Sequence, residues 1–487
     1  MLGSCNPKRG RASLHNRNSA GVVVVSSRKT IRIGNGAGFW GDQLDAPRLL
    51  AEQGELDYLT LEYLAELTLS ILAHQRQRDA DLGYVTDFPT VVRSMVALLR
   101  SQPELKIITN AGGMNPVSCA RAVSQVLCES QLESIQVAAV SGDDLLPRLD
   151  ELIADGETFE HFENNQPMTD IREKLTSANA YLGAAGIVSA LSDGARIVIT
   201  GRIADASLVV GPAVFEFGWS WDDWDLLASA TTTGHLIECG AQVTGGMFSG
   251  WSSDANFRLD RIGYPIAELS TEGGCVITKP AGTDGRVDTA TVSEQLVYEI
   301  GDPESYLTPD VAADFSHVQL EQIDTDRVRV ANCRGAQRPS EYKVSMSYAE
   351  GYSGAGTLVV AGPDAIGRAR ACESAIRSRL ERIGDLPEHV AFEYLGTGDV
   401  VSGVMVREAN PPEVVLRAVA RDPSRDVIDR FLRELAPLVT SGPPGVTGYT
   451  GARPRSIPVL GYWPSSIHRS HVHSQSTVLS AKDCCNG

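Results

Sequence analysis

The sequence lacks any apolar run approaching the roughly 20 residues that a bilayer-spanning helix needs. Its longest early run is only Gly21-Val-Val-Val-Val25. It also lacks a C-x-x-C pair and an H-E-x-x-H, so the common zinc signatures are missing. His468, His471 and His473 stand near Cys484 and Cys485 in a tail without regular pattern, and no metal site is expected there. No basic stripe interleaved with aromatics occurs, and a formal charge of -18 repels phosphate backbones, which excludes nucleic acid as a partner. The nine cysteines stand singly apart from Cys484-Cys485, the pattern of reduced thiols in an intracellular protein. Asp and Glu are missing between Met1 and Trp40, where Lys8, Arg9, Arg11, Arg17, Arg28, Lys29 and Arg32 accompany frequent Ser. That composition suits an organellar transit peptide, whereas Pro7, Gly10 and the asparagines would interrupt its helix. Residues 1–28 are therefore expected to be a disordered or targeting extension, with a cytoplasmic location and mitochondrial import as the alternative.

What is present is globular: 487 residues, 43% hydrophobic and 21% charged, enough for two or three domains. From Lys29 to about Ile262, short β-branched runs alternate with helical patterns. The runs are Thr30–Ile33, Tyr58–Leu61, Lys106–Thr109, Ile135–Val140 and Arg196–Thr200, and helical spacing marks Phe88–Arg100 and Pro116–Glu129. This predicts an α/β domain over 29–255 with a mostly parallel, Rossmann-like sheet, or alternatively a barrel-like closure. Beyond Asn256 the pattern runs strand Tyr342–Tyr348, helix Pro363–Ile383, strands Val390–Leu395 and Val414–Ala420, helix Ser424–Leu438 and strand Ser456–Tyr462. That order is the split βαβ plan, so 256–464 is expected to be an α+β domain. Residues 465–487 are read as a divergent, unstructured tail.

In an open α/β sheet, ligands bind outside the carboxyl ends of the strands. All five runs end in loops rich in Gly and polar groups, and these are expected to share one site. The candidate substrate-binding residues are Gly36, Gly38 and Asp42 after the first run, Glu62 after the second, Asn110, Gly112 and Asn115 after the third, Asp143 and Asp144 after the fourth, and Arg202 after the fifth. A guanidinium there calls for an anion, either a carboxylate or thioester substrate or an internal partner such as Asp205 or Asp143. Gly36-Ala-Gly38-Phe-Trp-Gly41 spells G-x-G-x-x-G, with Glu62 near the place of a ribose ligand. Either register breaks one requirement of that fingerprint, because bulky Phe39 takes the third position or Gly41 falls before the helix that Asp42 would cap. No nicotinamide or flavin cofactor is expected, and the glycines are read as a substrate-facing turn. Thr231-Thr-Thr-Gly-His235-Leu-Ile-Glu238-Cys239 reads as a capped helix start. His235 and Glu238 at i, i+3 would form an acid–base pair, with Asp205 beside them and Cys239 a candidate nucleophile or a core thiol.

Taken in order, ITNAGGMNP (Ile108–Pro116), SGDDL (Ser141–Leu145), ANAYLGAAGIVSAL (Ala178–Leu191), IVITGRIADASLVVGP (Ile197–Pro212), TTTGHLIECGAQVTGG (Thr231–Gly246), TVSEQLVYEIGDPESYLTPDVAADF (Thr291–Phe315) and RGAQRPSEYKVSMSYAEGY (Arg334–Tyr352) resemble the acyclic terpene utilisation protein AtuA family. The resemblance spans about Ile31 to Pro464. It implies a role in catabolism of citronellol- and geraniol-type terpenes beside a geranyl-CoA carboxylase and acyl-CoA hydratases, and it assigns no catalytic residue. Longer members continue into a further small domain, whereas HRSHVHSQSTVLSAKDCCNG is expected to depart from the family. Three readings stay open: an enzyme working on a small organic acid or acyl-CoA by acid–base chemistry of hydratase, lyase or isomerase type; a non-catalytic binding or assembly subunit beside a pathway partner; and a nucleotide-dependent oxidoreductase. A homo-oligomer is compatible with each.

Overall fold

The five β-branched runs become the parallel centre of one large sheet in the computed structural model, which describes residues 29–251, 258–398, 400–401, 403, 411–448 and 452–480. The expected extension at 1–28 lies outside the described residues. In chain order the strands are β1 (Thr30–Asn35), β2 (Tyr58–Leu61), β3 (Lys106–Thr109), β4 (Gln136–Ser141) and, after β5 (Leu175–Ala180), β6 (Ile197–Thr200). They pair in the order β1-β2-β3-β6-β4, all parallel. Their sequences are nearly continuous in apolar residues because both faces are covered. Ile107, Val137, Ile197 and Ile199 point into one core, while Ile108, Ala138, Val140 and Val198 point into the other. Helices α1 (Ala46–Gln53), α2 (Glu66–Arg78), α3 (Phe88–Ser94), α4 (Val96–Ser101) and α5 (Pro116–Glu129) fill the first; α6 (Leu149–Ala154), α7 (Ala185–Ser192), α8 (Ser207–Phe217) and α9 (Trp224–Glu238) fill the second. Right-handed crossovers account for this division: the chain steps forward from β1 to β4, then back to β6, which moves the connection to the opposite face.

Three expectations are corrected. A Rossmann sheet has its first strand at the centre, whereas here β1 bounds the parallel block and the sheet is mixed. Antiparallel strands β7 (Ile266–Ser270), β8 (Cys275–Thr278), β11 (Gln319–Asp324) and β12 (Arg327–Ala331) extend it beyond β1. Within that stretch lie α10 (Thr289–Leu296) and two strands, β9 (Tyr306–Leu307) and β10 (Ala312–Asp314), which form a small sheet with β13 (Arg334–Ala336) just beyond it. A boundary at 256 thus cuts through one sheet, because strands 266–331 satisfy the edge of β1. The tail is not unstructured throughout either. Gln475–Ser480 pairs antiparallel with β4, where an open edge would otherwise leave its N–H and C=O groups unpaired, and Leu479 packs on the core.

A second sheet holds β14 (Glu341–Ala361), β15 (His389–Leu395), β16 (Glu413–Asp422) and β17 (Ile457–His468) in the antiparallel order β15-β16-β14-β17. Helices α11 (Ala365–Ile383), α12 (Arg425–Arg433) and α13 (Leu438–Ser441) bury Ile376, Leu380, Phe431 and Leu438 with Leu358, Val360 and Leu416 of its strands. The element order is the strand–helix–strand–strand–helix–strand series read from the sequence. The 21 residues of β14 reach back to pair antiparallel with β5, which is the fifth strand of this sheet. β18 (Gln475–Ser480) is the tail strand already described. Among the described residues no helix is long and apolar enough to cross a membrane.

Candidate functional site

A cavity of about 850 Å³ opens where the carboxyl ends of β1, β2 and β6 meet the last turn of α9, the segment Tyr306–Pro309 and the start of β14. The sheet explains its position, since the strand ends face the same way and their loops converge. Its wall carries Asp42, Glu62, Glu66, Asp205, Glu238, Glu299 and Glu341 against the cations Arg202 and Lys343. Two of these acids, Glu62 and Glu238, have their pKa raised, chiefly by burial and to a lesser degree by the nearby Asp205.

His235 and Glu238 sit in the last turn of α9, not at a helix start. Thr232 and Thr233 lie inside the helix and donate to the Ala228 and Ser229 carbonyls at 2.8 Å, which satisfies hydroxyls that the sequence presents as caps. The i, i+3 spacing still sets the two side chains together, Nδ1 of His235 lying 3.2 Å from Oε1 of Glu238. Nε2 lies 3.0 Å from the Gln295 carbonyl, which only accepts, so Nε2 carries a hydrogen. One further proton must then lie between Nδ1 and Oε1. Burial pushes Glu238 up to about 7 against the opposing pull of His235, and Asp205 adds to the rise. Burial opposes charge on His235, but Glu238 and the Gln295 carbonyl outweigh it and raise the imidazole. The pair therefore holds one proton through neutral pH. Tyr306 and Phe315 flank the imidazole at 5.6 and 5.3 Å between ring centres. Oε2 of Glu238 is buried with no hydrogen-bond partner among the described residues. Cys239 caps α9, and burial pushes its thiol up to about 12, which removes it as a ready nucleophile.

Glu62 follows β2 directly. Its Oε1 accepts from Leu64 N and from Asn110 Nδ2, both at 2.7 Å. Burial raises its pKa well above the usual carboxylate range, and Asp205 adds to this while Arg202 opposes it. Arg202 is 1% exposed. It donates to Leu64 O at 2.6 Å, to Ile203 O and to Asp205, and lies 4.4 Å from the centre of the Tyr181 ring. Lys343 approaches the same ring at 4.7 Å. Tyr181 and Lys343 both donate to Oε1 of Glu66, at 2.8 and 3.0 Å; burial would raise that acid, but these two donors bring it down to about 2.

Other predicted residues serve the frame. Gly38 and Asp42 line the cavity; Gly36 does not. A Cβ on Gly38 would stand 2.6 Å from the Cys239 carbonyl carbon, and one on Gly36 would stand 2.8 Å from Pro47 Cα. The turn thus packs its glycines closely against protein, while Gly38, Phe39 and Asp42 border the cavity. Asp42 is no helix cap, since α1 begins at Ala46 with Asp45 before it. It accepts instead from Gly38 N, Gln43 N and Tyr264 Oη. The loops after β3 and β4 stay out of the cavity. Asn110 braces Glu62 and accepts from Tyr63 N; Gly112 packs on the Thr200 carbonyl; Asn115 caps α5 and donates to Ala80 and Leu82. Asp143, raised by burial to about 6, accepts from Asn179 Nδ2 and Arg202 N, and Asp144 pairs with Arg76 at 3.0 Å.

Sequence reasoning missed Tyr181, Glu66, Lys343, Tyr264, Tyr306 and Glu299 on the wall. Lys343 carried a signal, a charge inside the alternating strand Tyr342–Tyr348. It also missed Asn35, whose Nδ2 donates to Ile237 O at 2.8 Å and Glu238 O at 2.9 Å and so ties β1 to the last turn of α9. Phe39, Phe162, Met247 and Leu307 line the cavity with much of their apolar surface in water; Met247 is 79% exposed. Cys119, Cys239, Cys275, Cys333 and Cys372 are free thiols. Among the described residues no three His, Cys, Asp or Glu side chains gather as metal ligands.

The model of one family, described as acyclic terpene utilisation family protein AtuA, matches residues 31–478. That span runs past Pro464 and through most of β18, so the divergence expected there is corrected. No curated protein and no solved structure matches the chain.

Proposed function

The chain belongs to the acyclic terpene utilisation family AtuA, and from that premise we propose an enzyme of acyclic terpene catabolism that moves a proton on an acyl-CoA or small organic acid. The reaction is of hydratase, lyase or isomerase type. One observation carries this reading: two buried carboxyls with raised pKa, Glu62 and Glu238, stand on one cavity wall, and the second shares a proton with His235. An acid poised near neutral pH is what proton transfer to or from a carbon or a leaving hydroxyl requires. Glu238 gives or takes the proton, His235 sets its position and replenishes it, and Glu62 is the second proton-holding group. Arg202 spends most of its donors on Asp205, Leu64 and Ile203, so it fixes the wall, and Lys343 beside Tyr181 is the cation that meets a substrate's carboxylate or thioester oxygen. The exposed apolar group of Phe39, Phe162, Met247 and Leu307 supports a branched hydrocarbon chain at the mouth.

The test is a thermal-shift panel of acyl-CoAs and short carboxylates, followed by mass spectrometry of deuterium uptake from heavy water into any stabilising ligand. Uptake should fall by about 100-fold or more in Glu238→Gln. Binding without exchange would favour a non-catalytic subunit, and neither binding nor exchange would overturn the proposal.

A further inference from the structure

The second sheet carries a cavity of its own, about 470 Å³, lined by Arg425, Asp429 and Arg433 of α12, by Leu432 and Ala436, and by Arg453-Pro-Arg455-Ser456 ahead of β17. Four arginines against one aspartate is an unusual concentration in a chain whose formal charge is -18. The spacing explains the convergence. Arg425, Asp429, Leu432 and Arg433 recur at helical intervals on one face of α12, while Arg453 and Arg455 line the same cavity from the segment ahead of β17. Arg425 is the arginine already engaged, with Nε 3.3 Å from Ser456 Oγ and 3.8 Å from Asp429 Oδ2. The side chains of Arg433, Arg453 and Arg455 make no ion pair or hydrogen bond among the described residues. Like charges gathered without partners repel one another, and an anion in their midst relieves that repulsion.

We propose that this cavity is a second ligand site, which takes the diphosphate group of a small molecule such as a nucleoside diphosphate. Guanidinium forks match phosphate oxygens two at a time, which lysines cannot do. The excess of three positive charges suits a diphosphate better than a single carboxylate. The volume lies within the range of small-molecule pockets and leaves room beyond the anion, where Leu432, Ala436 and Pro454 offer an apolar wall to the rest of the ligand. The site is separate from the large cavity. Ser456 lines one and Ser466 the other, and the ten residues of strand between them span roughly 33 Å.

Calorimetric titration of the full chain with ADP and with pyrophosphate tests this. The expected result is a Kd for ADP tighter than about 100 μM, weaker but measurable binding of pyrophosphate, and none of adenosine. Arg433→Gln with Arg455→Gln should weaken ADP at least tenfold, and Glu238→Gln in the large cavity should leave it unchanged. If the double variant melts early without ligand, Arg453→Gln alone gives the same reading. No heat with either ADP or pyrophosphate would overturn the proposal, as would equal affinity in the arginine variants. Tight binding of heparin without binding of ADP would overturn it in favour of a polyanionic macromolecule.

Discussion

Glu238→Gln keeps the shape of the side chain and removes its titration, so it isolates the proton held between Glu238 and His235. In the wild-type chain burial pushes this carboxyl from its ordinary value of 4.5 up to about 7, which corresponds to roughly 3 kcal/mol of preference for the neutral form. The folded state thus keeps a proton that the unfolded chain has released. The resulting stability is complete below about pH 4.5 and is lost as pH rises through about 7. His235 is raised by the same contact, and its contribution is also lost on the alkaline side. With Gln in place the imidazole keeps its burial between Tyr306 and Phe315 but loses the carboxylate, so its charged form becomes disfavoured. The variant should therefore gain on the wild type as pH rises. For a chain of 487 residues a change of 1 kcal/mol moves the melting temperature by roughly 1 °C. The difference in Tm, variant minus wild type, should widen by roughly 2–3 °C between about pH 5 and pH 8.5. Differential scanning calorimetry at the two pH values measures it. A difference that does not change with pH would refute the shared proton.

Three further outcomes follow from the same geometry. Gly38→Val places a Cβ 2.6 Å from the Cys239 carbonyl carbon, so it should cost about 1–3 kcal/mol and lower Tm in the absence of any ligand; an unchanged melt would show that the turn can move away from α9. Asn110→Ala leaves Tyr63 N without its acceptor and Glu62 with one donor fewer, which should cost about 1–3 kcal/mol; it should also shift any Glu62-dependent pH profile toward the alkaline side, and a profile that stays in place would count against Glu62 as a working acid. Glu66 is held down to about 2, so its contribution is present above about 4.5 and lost as pH falls through 2. Lys343→Met should move that loss to higher pH, read as an earlier onset in an acid titration followed by circular dichroism, and an onset that does not move would show that Tyr181 alone holds the carboxylate.

The parallel strands were legible because two-sided burial writes itself into sequence as unbroken runs such as Lys106–Thr109 and Ile197–Thr200. The antiparallel strands that complete the sheet were not. Ile266–Ser270 and Arg327–Ala331 mix charges with apolar residues: Glu268 at the centre of the first is met by Arg32 on β1 and by Arg327 on β12, at 2.6 Å for the latter. A cross-strand ion pair of this kind looks like a surface loop until its partners are known. The tail strand was hidden for a related reason. Gln475–Ser480 has only Val478 and Leu479 as large apolar residues, and its pairing is dictated by the open edge of β4, more than 300 residues earlier in the chain.

The site was legible in kind but not in membership, and the strand order accounts for the difference. That loops at the carboxyl ends of parallel strands gather into a site follows from direction alone, which the sequence supplies. Which loops meet depends on which strands are neighbours and on what covers them. Insertion of β6 between β3 and β4 puts Arg202 at the centre of the strand ends, where Leu64 from the loop after β2 and Asp143 from the loop after β4 reach it from either side. Asp143 thereby becomes an acceptor for the Arg202 backbone and Asn110 a donor to Glu62, so the third and fourth loops lie behind the wall that the second and fifth present. The last turn of α9 reaches the same place because Asn35 at the end of β1 holds the carbonyls of Ile237 and Glu238. A pair three residues apart on a helix could be read locally, whereas the arrival of that pair beside Glu62 required a strand order and a single asparagine more than 200 residues away.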